Sequence, residues 1–514
     1  MNENKHKKKY VWKEPLFLSS IIVIGLLIRF YYFPFEIPLT LDAFRFFLYA
    51  MDTTVLGHLP TNYTLPNNGW PLFLSLWFSI FRFENFLDYV ILQRTLTVIL
   101  SVLTVIPTYL LCRKFFSPCL AMVGAVLVVF TPRLIQNSLG GTTDPLFIFL
   151  ITSAILLFLA KNKIYVYSSF SVLALSALVR YESLLLIIPF SALFIIRFRI
   201  EPKIVLRYSM VLGIFVLTLL PLAYLRTEAT GQDGLLSHVI GGAKVTINDG
   251  VILKENGTKF ALQEGITGLI KYVSITFFPL FFIFIPYGLY VFFKRRGYEI
   301  NSLILIVIFM LLPALYAYGR GIQEPRYVFS VLPIAAIISL YTIEKLVKTK
   351  WHNVILVVIL VAIILSSVAY LEYKKLDYNH ERGAVKLSLY IANLDGAINE
   401  FDPESTYVET AGLYGLKLPV SSTNINFEPK VISLNGESVK EVIQNGRQKG
   451  LSYLIVDSMN TKQNRKPFLN DVFYHEEKYP YLLKIFDSKD HGYKYHVKIF
   501  KINYEEFDSI LNDK

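Results

Sequence analysis

The stretch "LTVILSVLTVIPTYLLCRKFFSPCLAMVGAVLVVF", residues 96–130, carries its only charges, Arg113 and Lys114, in its middle. Each flank belongs to an apolar run of about 20 residues, the length that crosses the hydrocarbon of a bilayer, and a basic turn joins them. This reads as two membrane spans folded back on a cytoplasmic hairpin. The pattern repeats along the chain, with apolar windows near 16–33, 90–112, 118–138, 144–160, 164–179, 183–197, 204–225, 268–293, 302–318, 327–344 and 352–371. About eleven spans result, so the chain is read as a polytopic α-helical membrane protein. Composition agrees, since 54% of the 514 residues are apolar and the mean hydropathy is +0.46.

The segment "MNENKHKKKYVWKEPLFLSSIIVIGLLIRFYYF" has too long an apolar run for a signal peptide and lacks a small-residue cleavage site, so it reads as a retained anchor with a cytoplasmic N-terminus. The inner turns then become Arg113–Lys114, Lys161–Lys163, Arg197–Lys203, Lys294–Arg296 and Lys345–Lys350, each with at least two cations. That is the bias expected of cytoplasmic loops. A further apolar window at 69–81 is too short to span and would invert every later loop, so it is laid in the membrane interface. The net charge of +12 sits in these turns, with no basic and aromatic strip, which excludes a nucleic-acid partner.

Two domains follow: residues 1–371 in the membrane, with a first outer loop at 34–89 carrying juxtamembrane helices, and 372–514 as a soluble extracytoplasmic α/β domain. In the latter, "STYVETAGLYGL", "LSYLIVDS" and "YKYHVKIFKIN" read as strands and "GESVKEVIQNGRQKG" as a glycine-closed helix. Both cysteines, Cys112 and Cys119, lie outside this domain, so it holds neither a disulfide nor a cysteine zinc site.

The topology gathers the polar chemistry on the outer face. In "IPLTLDAFRFFLYAMDTTVLGHLP", residues 37–60, Asp42, Arg45 and Tyr49 share one helical face and Phe44, Phe47 and Leu48 another. Asp42 fits both a first-turn acid favoured by the helix dipole and a catalytic carboxylate. In "NSLGGTTDPLFIFLITSAILLF", residues 137–158, the glycines break one helix, Thr142 or Thr143 can cap the next, and Asp144 opens it. Two carboxylates at one membrane face call for cations beside them. These stand in "ALVRYESLLLIIP", with Arg180 and Glu182, and in "YGRGIQEPRYVFSVLP", with Arg320, Glu324, Arg326 and Tyr327. Each arginine alone fits snorkelling or an Arg–Glu pair; several together favour an anion such as a lipid phosphate.

In that order, the Asp-led first outer loop, the second acid, "RYES" and "PRYVFSVLP" resemble the GT-C fold glycosyltransferases. They are most similar to the protein O-mannosyltransferase and lipid A aminoarabinose transferase group, of glycosyltransferase family 39 type. The resemblance runs over about residues 10–345. It implies an integral enzyme of the plasma membrane that transfers a sugar from a polyprenyl-phosphate donor to a hydroxyl acceptor on the non-cytoplasmic face. Asp42 and Asp144 are then the catalytic acids, Arg180, Arg326 and Arg45 the donor phosphate ligands, and Glu182, Glu324 and Tyr327 supporting residues. The family's first-loop signature is Asp-Glu followed by a basic and an aromatic residue; Asp42, Arg45 and Phe46 match, and Ala43 replaces the Glu. The Trp-Trp-Asp-Tyr-Gly signature of the oligosaccharyltransferase branch is absent, which argues against en bloc transfer to asparagine. No cofactor is required, although two carboxylates leave room for a divalent cation. A lipid-sugar flippase and a catalytically weakened binding relative are the rival readings.

Overall fold

The computed structural model describes residues 13–231, 234, 260–400, 431–458 and 467–512, apart from interruptions at 38, 40, 62–64, 66–67, 84–85, 350, 376–377, 379–381, 384–385, 388–389, 392–393, 434–435 and 494–495. Its contacts divide the chain into two units. One comprises Met1–Phe33, Leu41–Phe81 and Ile91–Lys375, the other Pro34–Thr40, Arg82–Val90 and Leu376–Lys514.

The first unit is helical. Among the described residues, seven helices are long and apolar enough to cross a membrane: Glu14–Tyr31, Phe86–Cys112, Tyr181–Phe198, Ile204–Thr230, Tyr298–Gly319, Pro325–Leu346 and Val354–Tyr373. An eighth arises if Pro118–Val129 and Pro132–Ser138, bent by 53° at their junction, form one span. The bend has a local cause, because Thr131 precedes Pro132 and takes an extended backbone. These lengths and compositions are those of an integral membrane protein.

The eleven expected windows are not all of one kind. Asp144–Phe158 and Lys163–Val179 are apolar helices of 15 and 17 residues, shorter than a straight crossing of about 20. The window at 268–293 divides into Leu262–Phe277 and Ile285–Lys294, because Phe278, before Pro279, turns extended and ends the first helix. The 69–81 window forms the helix Gly69–Ile80, whose Trp70, Leu74 and Phe78 are buried while Leu76 and Ile80 are exposed.

Two features of this unit place the site. The basic motifs each open a span with a 3₁₀ turn, Tyr181–Leu186 after Arg180 and Pro325–Val331 around Arg326. The helix Leu41–Leu56 is buried along most of its length, with Phe44, Phe46, Phe47, Tyr49 and Met51 all in the core. Asp42, Arg45 and Tyr49 share one face of this helix as expected; Tyr49 is buried, and its hydroxyl meets Asn68 Nδ2 at 3.4 Å.

Among the described residues the second unit carries a five-stranded sheet of order β2-β1-β3-β5-β4, with β1 Ala397–Glu400, β2 Val431–Ser433, β3 Leu451–Asp457, β4 Leu482–Asp487 and β5 Val497–Ile502. β1 runs parallel to β2 and β3, and β5 lies antiparallel between β3 and β4. The expected strands at 451–458 and 493–503 are β3 and β5, while 405–416 lies outside the described residues. The expected helix is Val439–Arg447: Ser438 Oγ accepts from Glu441 N at 3.2 Å at its start, and Gly450 follows it at φ +78°.

Candidate active site

Asp42 lies in the first turn of Leu41–Leu56, where a helix dipole favours an acid, yet its carboxylate also has a distant partner. Arg326 Nη2 donates to Asp42 Oδ2 at 2.6 Å. The two sequence readings of Asp42 are thus compatible, and the pairing brings the helix Leu41–Leu56 to the start of a late span. Arg326 Nε is 3.9 Å from Glu324 Oε2, beyond hydrogen-bond reach, and is buried with no hydrogen-bond acceptor among the described residues.

The second acid is held differently. Arg180 Nη1 donates to Asp144 Oδ1 in a very short contact, and Nη2 donates to Glu182 Oε1 at 2.8 Å. Asp144 Oδ2 accepts from Asn137 Nδ2 at 3.1 Å and from Thr142 Oγ1 at 3.0 Å. Thr142 therefore braces the acid, and Thr143, the residue at the cap position, makes no side-chain cap hydrogen bond. The Arg180 guanidinium also lies over the rings of Tyr327 at 5.3 Å and Phe147 at 5.6 Å. Side-chain exposure separates the acids: 1% for Asp144 against 42% for Asp42. Asp144 is built in, whereas Asp42 is open to a reactant.

The pairs are adjacent, since Arg326 lies within electrostatic reach of both Asp42 and Asp144. Arg180, Glu182, Arg326 and Tyr327 line one open pocket, whose other walls include Phe147 and Met310. The cavity therefore joins two guanidiniums to apolar walls, which suits an anionic headgroup attached to a hydrocarbon chain.

Of the eight residues singled out by sequence, seven meet here through these pairs and the cavity. Arg45 is not brought into the group. It is exposed, one turn after Asp42 on the same helix, and does not line the pocket with Arg180 and Arg326. Sequence reading missed Asn137, Phe147 and the bracing role of Thr142; the only available signal was a polar side chain facing an acid across a Gly-Gly break. Among the described residues no three His, Cys, Asp or Glu side chains converge as a metal set.

This architecture is that of the GT-C fold. ArnT from Cupriavidus metallidurans, solved bound to undecaprenyl phosphate, matches at TM-score 0.57 and 9% identity, over 94% of this chain and 97% of that one. The oligosaccharyltransferase of Archaeoglobus fulgidus, solved with Zn and sulfate, matches at TM-score 0.55 and 16% identity, over 85% of this chain and 68% of that one. The same organism's AglB, in complex with an inhibitory peptide and a dolichol-phosphate, matches at TM-score 0.51 and 13% identity, over 87% of this chain and 70% of that one. At these identities the likeness shows the fold. No family model and no curated protein matches the sequence.

Proposed function

We propose that the protein is a membrane glycosyltransferase that moves a sugar from a polyprenyl-phosphate donor to a hydroxyl acceptor on the non-cytoplasmic face. One observation carries this reading: Arg180 and Arg326 line a single half-apolar cavity, and Arg326 offers a buried N–H with no hydrogen-bond acceptor among the described residues. A guanidinium presents five donors, so Arg326 can hold Asp42 through Nη2 and still receive a phosphate oxygen. The neighbours solved with undecaprenyl phosphate and dolichol-phosphate support a lipid phosphate as that anion. Nearly equal chain coverage with ArnT favours its kind of compact transferase over the longer oligosaccharyltransferase.

In this reading the acceptor oxygen attacks the anomeric carbon from the side opposite the phosphate and inverts that centre. Its proton passes to the Asp42 carboxylate, and the bond to phosphate breaks with its electron pair left on the phosphate oxygen. Arg326 and Arg180 stabilise that charge. A phosphate leaves without protonation, so the two-carboxylate acid and base pair of glycoside hydrolysis is not needed. Asp144 orients Arg180. A divalent cation does not suit these residues: Asp144 is committed to Arg180, Asn137 and Thr142, and Ala43 supplies no ligand where the family pattern has Glu. No step is routed through a metal. The basic turns support a cytoplasmic N-terminus and, with it, an extracytoplasmic domain at residues 372–514 in the acceptor's compartment.

The test is transfer in membranes containing the full-length protein, supplied with polyprenyl-phosphate sugars labelled in the sugar. A labelled glycoside is expected, and Arg326→Ala should lower kcat/KM for the donor about 10²- to 10³-fold. Label that crosses the bilayer without forming a glycoside identifies a flippase. An unchanged donor dependence in Arg326→Ala refutes the phosphate role.

A further inference from the structure

The helix Phe86–Leu103 carries a polar seam inside an apolar span. Gln93, Thr97 and Ser101 recur at four-residue spacing, so they share one face, and all three are buried. Each is tied to the segment before Asp144. Thr97 Oγ1 donates to Ser138 O at 2.7 Å. The fully buried Arg29 donates from Nη2 to Ser101 Oγ at 3.0 Å and from Nε to Ser138 Oγ at 3.2 Å. Gln93 differs from the other two because it reaches both acid-bearing segments: Nε2 donates to Gly141 O at 2.8 Å and to Ala43 O at 3.0 Å.

The two hydrogens of one amide nitrogen thus join the residue after Asp42 to the residue three before Asp144. Gly141 holds φ +74°, a left-handed turn that a side chain would strain, so its carbonyl has a defined direction. The amide can face only this way, since the reversed orientation would set its oxygen against two carbonyl oxygens. Its own Oε1 is buried with no hydrogen-bond partner among the described residues. A leucine there would avoid that cost but take away the donor that the Gly141 and Ala43 carbonyls share.

We infer that Gln93 is a positioning residue of the transfer site. Its amide is a strap that sets the separation of the Asp42–Arg326 pair from the Asp144–Arg180 pair. The inference rests on the proposed function only for its consequence in rate; the strap itself is structural. Displacing a reacting group by about 1 Å is enough to cost about 10²-fold in rate.

The test uses the full-length protein carrying Gln93→Met, which keeps side-chain length and volume and removes both hydrogen bonds. Hydrogen exchange should rise in residues 41–47 and 139–144 and stay unchanged in the helix Leu332–Leu346. Unaltered exchange in the first two segments overturns the strap, whether or not a donor has been found. In the transfer assay, kcat should fall about 10- to 100-fold while the donor KM moves by less than about 3-fold. In an Asp42→Asn background the same change should have little further effect, because the base it positions is already gone; effects that multiply indicate general loss of stability and overturn the positioning role. If Gln93→Met does not accumulate, Gln93→Asn withdraws the amide by one methylene and is read in the same two ways. Full kcat in the Gln93 variant beside an inactive Asp42→Asn refutes the role of Gln93 alone, while an active Asp42→Asn refutes the proposed function.

Discussion

Asp42→Asn is expected to lower the rate of sugar transfer by about 10²- to 10⁴-fold, the range a positioned general base supplies. The substitution keeps the shape of the side chain and an oxygen that accepts from Arg326, but removes the proton acceptor. Its effect on the fold should be small, because the carboxylate is 42% exposed and ion pairs at that exposure contribute about 0–1 kcal/mol. The barrier, by contrast, should rise by about 3–5 kcal/mol. The difference between these magnitudes makes the experiment decisive: melting behaviour in detergent near that of the unaltered protein, with transfer lost, identifies a chemical role. Near-normal transfer would remove Asp42 from the reaction.

The opposite result is expected at the other acid. Asp144 and Arg180 are buried to 1% and 8% side-chain exposure, so removing one leaves the other charge poorly solvated. Asp144→Leu should destabilise the protein by about 3–5 kcal/mol, read as a lower thermal midpoint in detergent. Adding Arg180→Met should recover part of that stability, because the unpaired guanidinium is gone, but should not restore transfer if Arg180 holds the donor phosphate as proposed. A double variant as unstable as Asp144→Leu would show that the cost lies in packing. A double variant that transfers sugar would remove Arg180 from donor binding.

The contrast between the acids was only half legible in the chain. Asp42 and Asp144 both read as first-turn acids on the outer face, and nothing local distinguished an open carboxylate from one sealed behind Asn137, Thr142 and Arg180. Likewise Arg45 lies one helical turn from Asp42, yet only Asp42 reaches Arg326, a matter of what the packing sets opposite each side chain. Gln93 gave no signal at all, since a single glutamine in an apolar span reads as an incidental polar residue until its two carbonyl partners are known.

The local pattern was more informative where one short-range force dominates. Hydrophobic windows and basic turns made the chain an integral membrane protein, since the cost of placing charge in hydrocarbon is paid residue by residue along the sequence. Serine before a helix and glycine after it bounded Val439–Arg447 for the same reason of local backbone chemistry. The breaks at Thr131 and Phe278 were written as X-Pro, but their consequence was not: one bends a candidate span by 53°, the other separates two short helices. The site itself belongs to neither kind of information. Arg326 reaches Asp42 across 284 residues of chain, and Gln93 reaches Ala43 and Gly141 across 50 and 48. Hydrogen bonds and ion pairs act over a few ångströms of space, so residues that distant in sequence become partners only when the packing of the helices has brought them together.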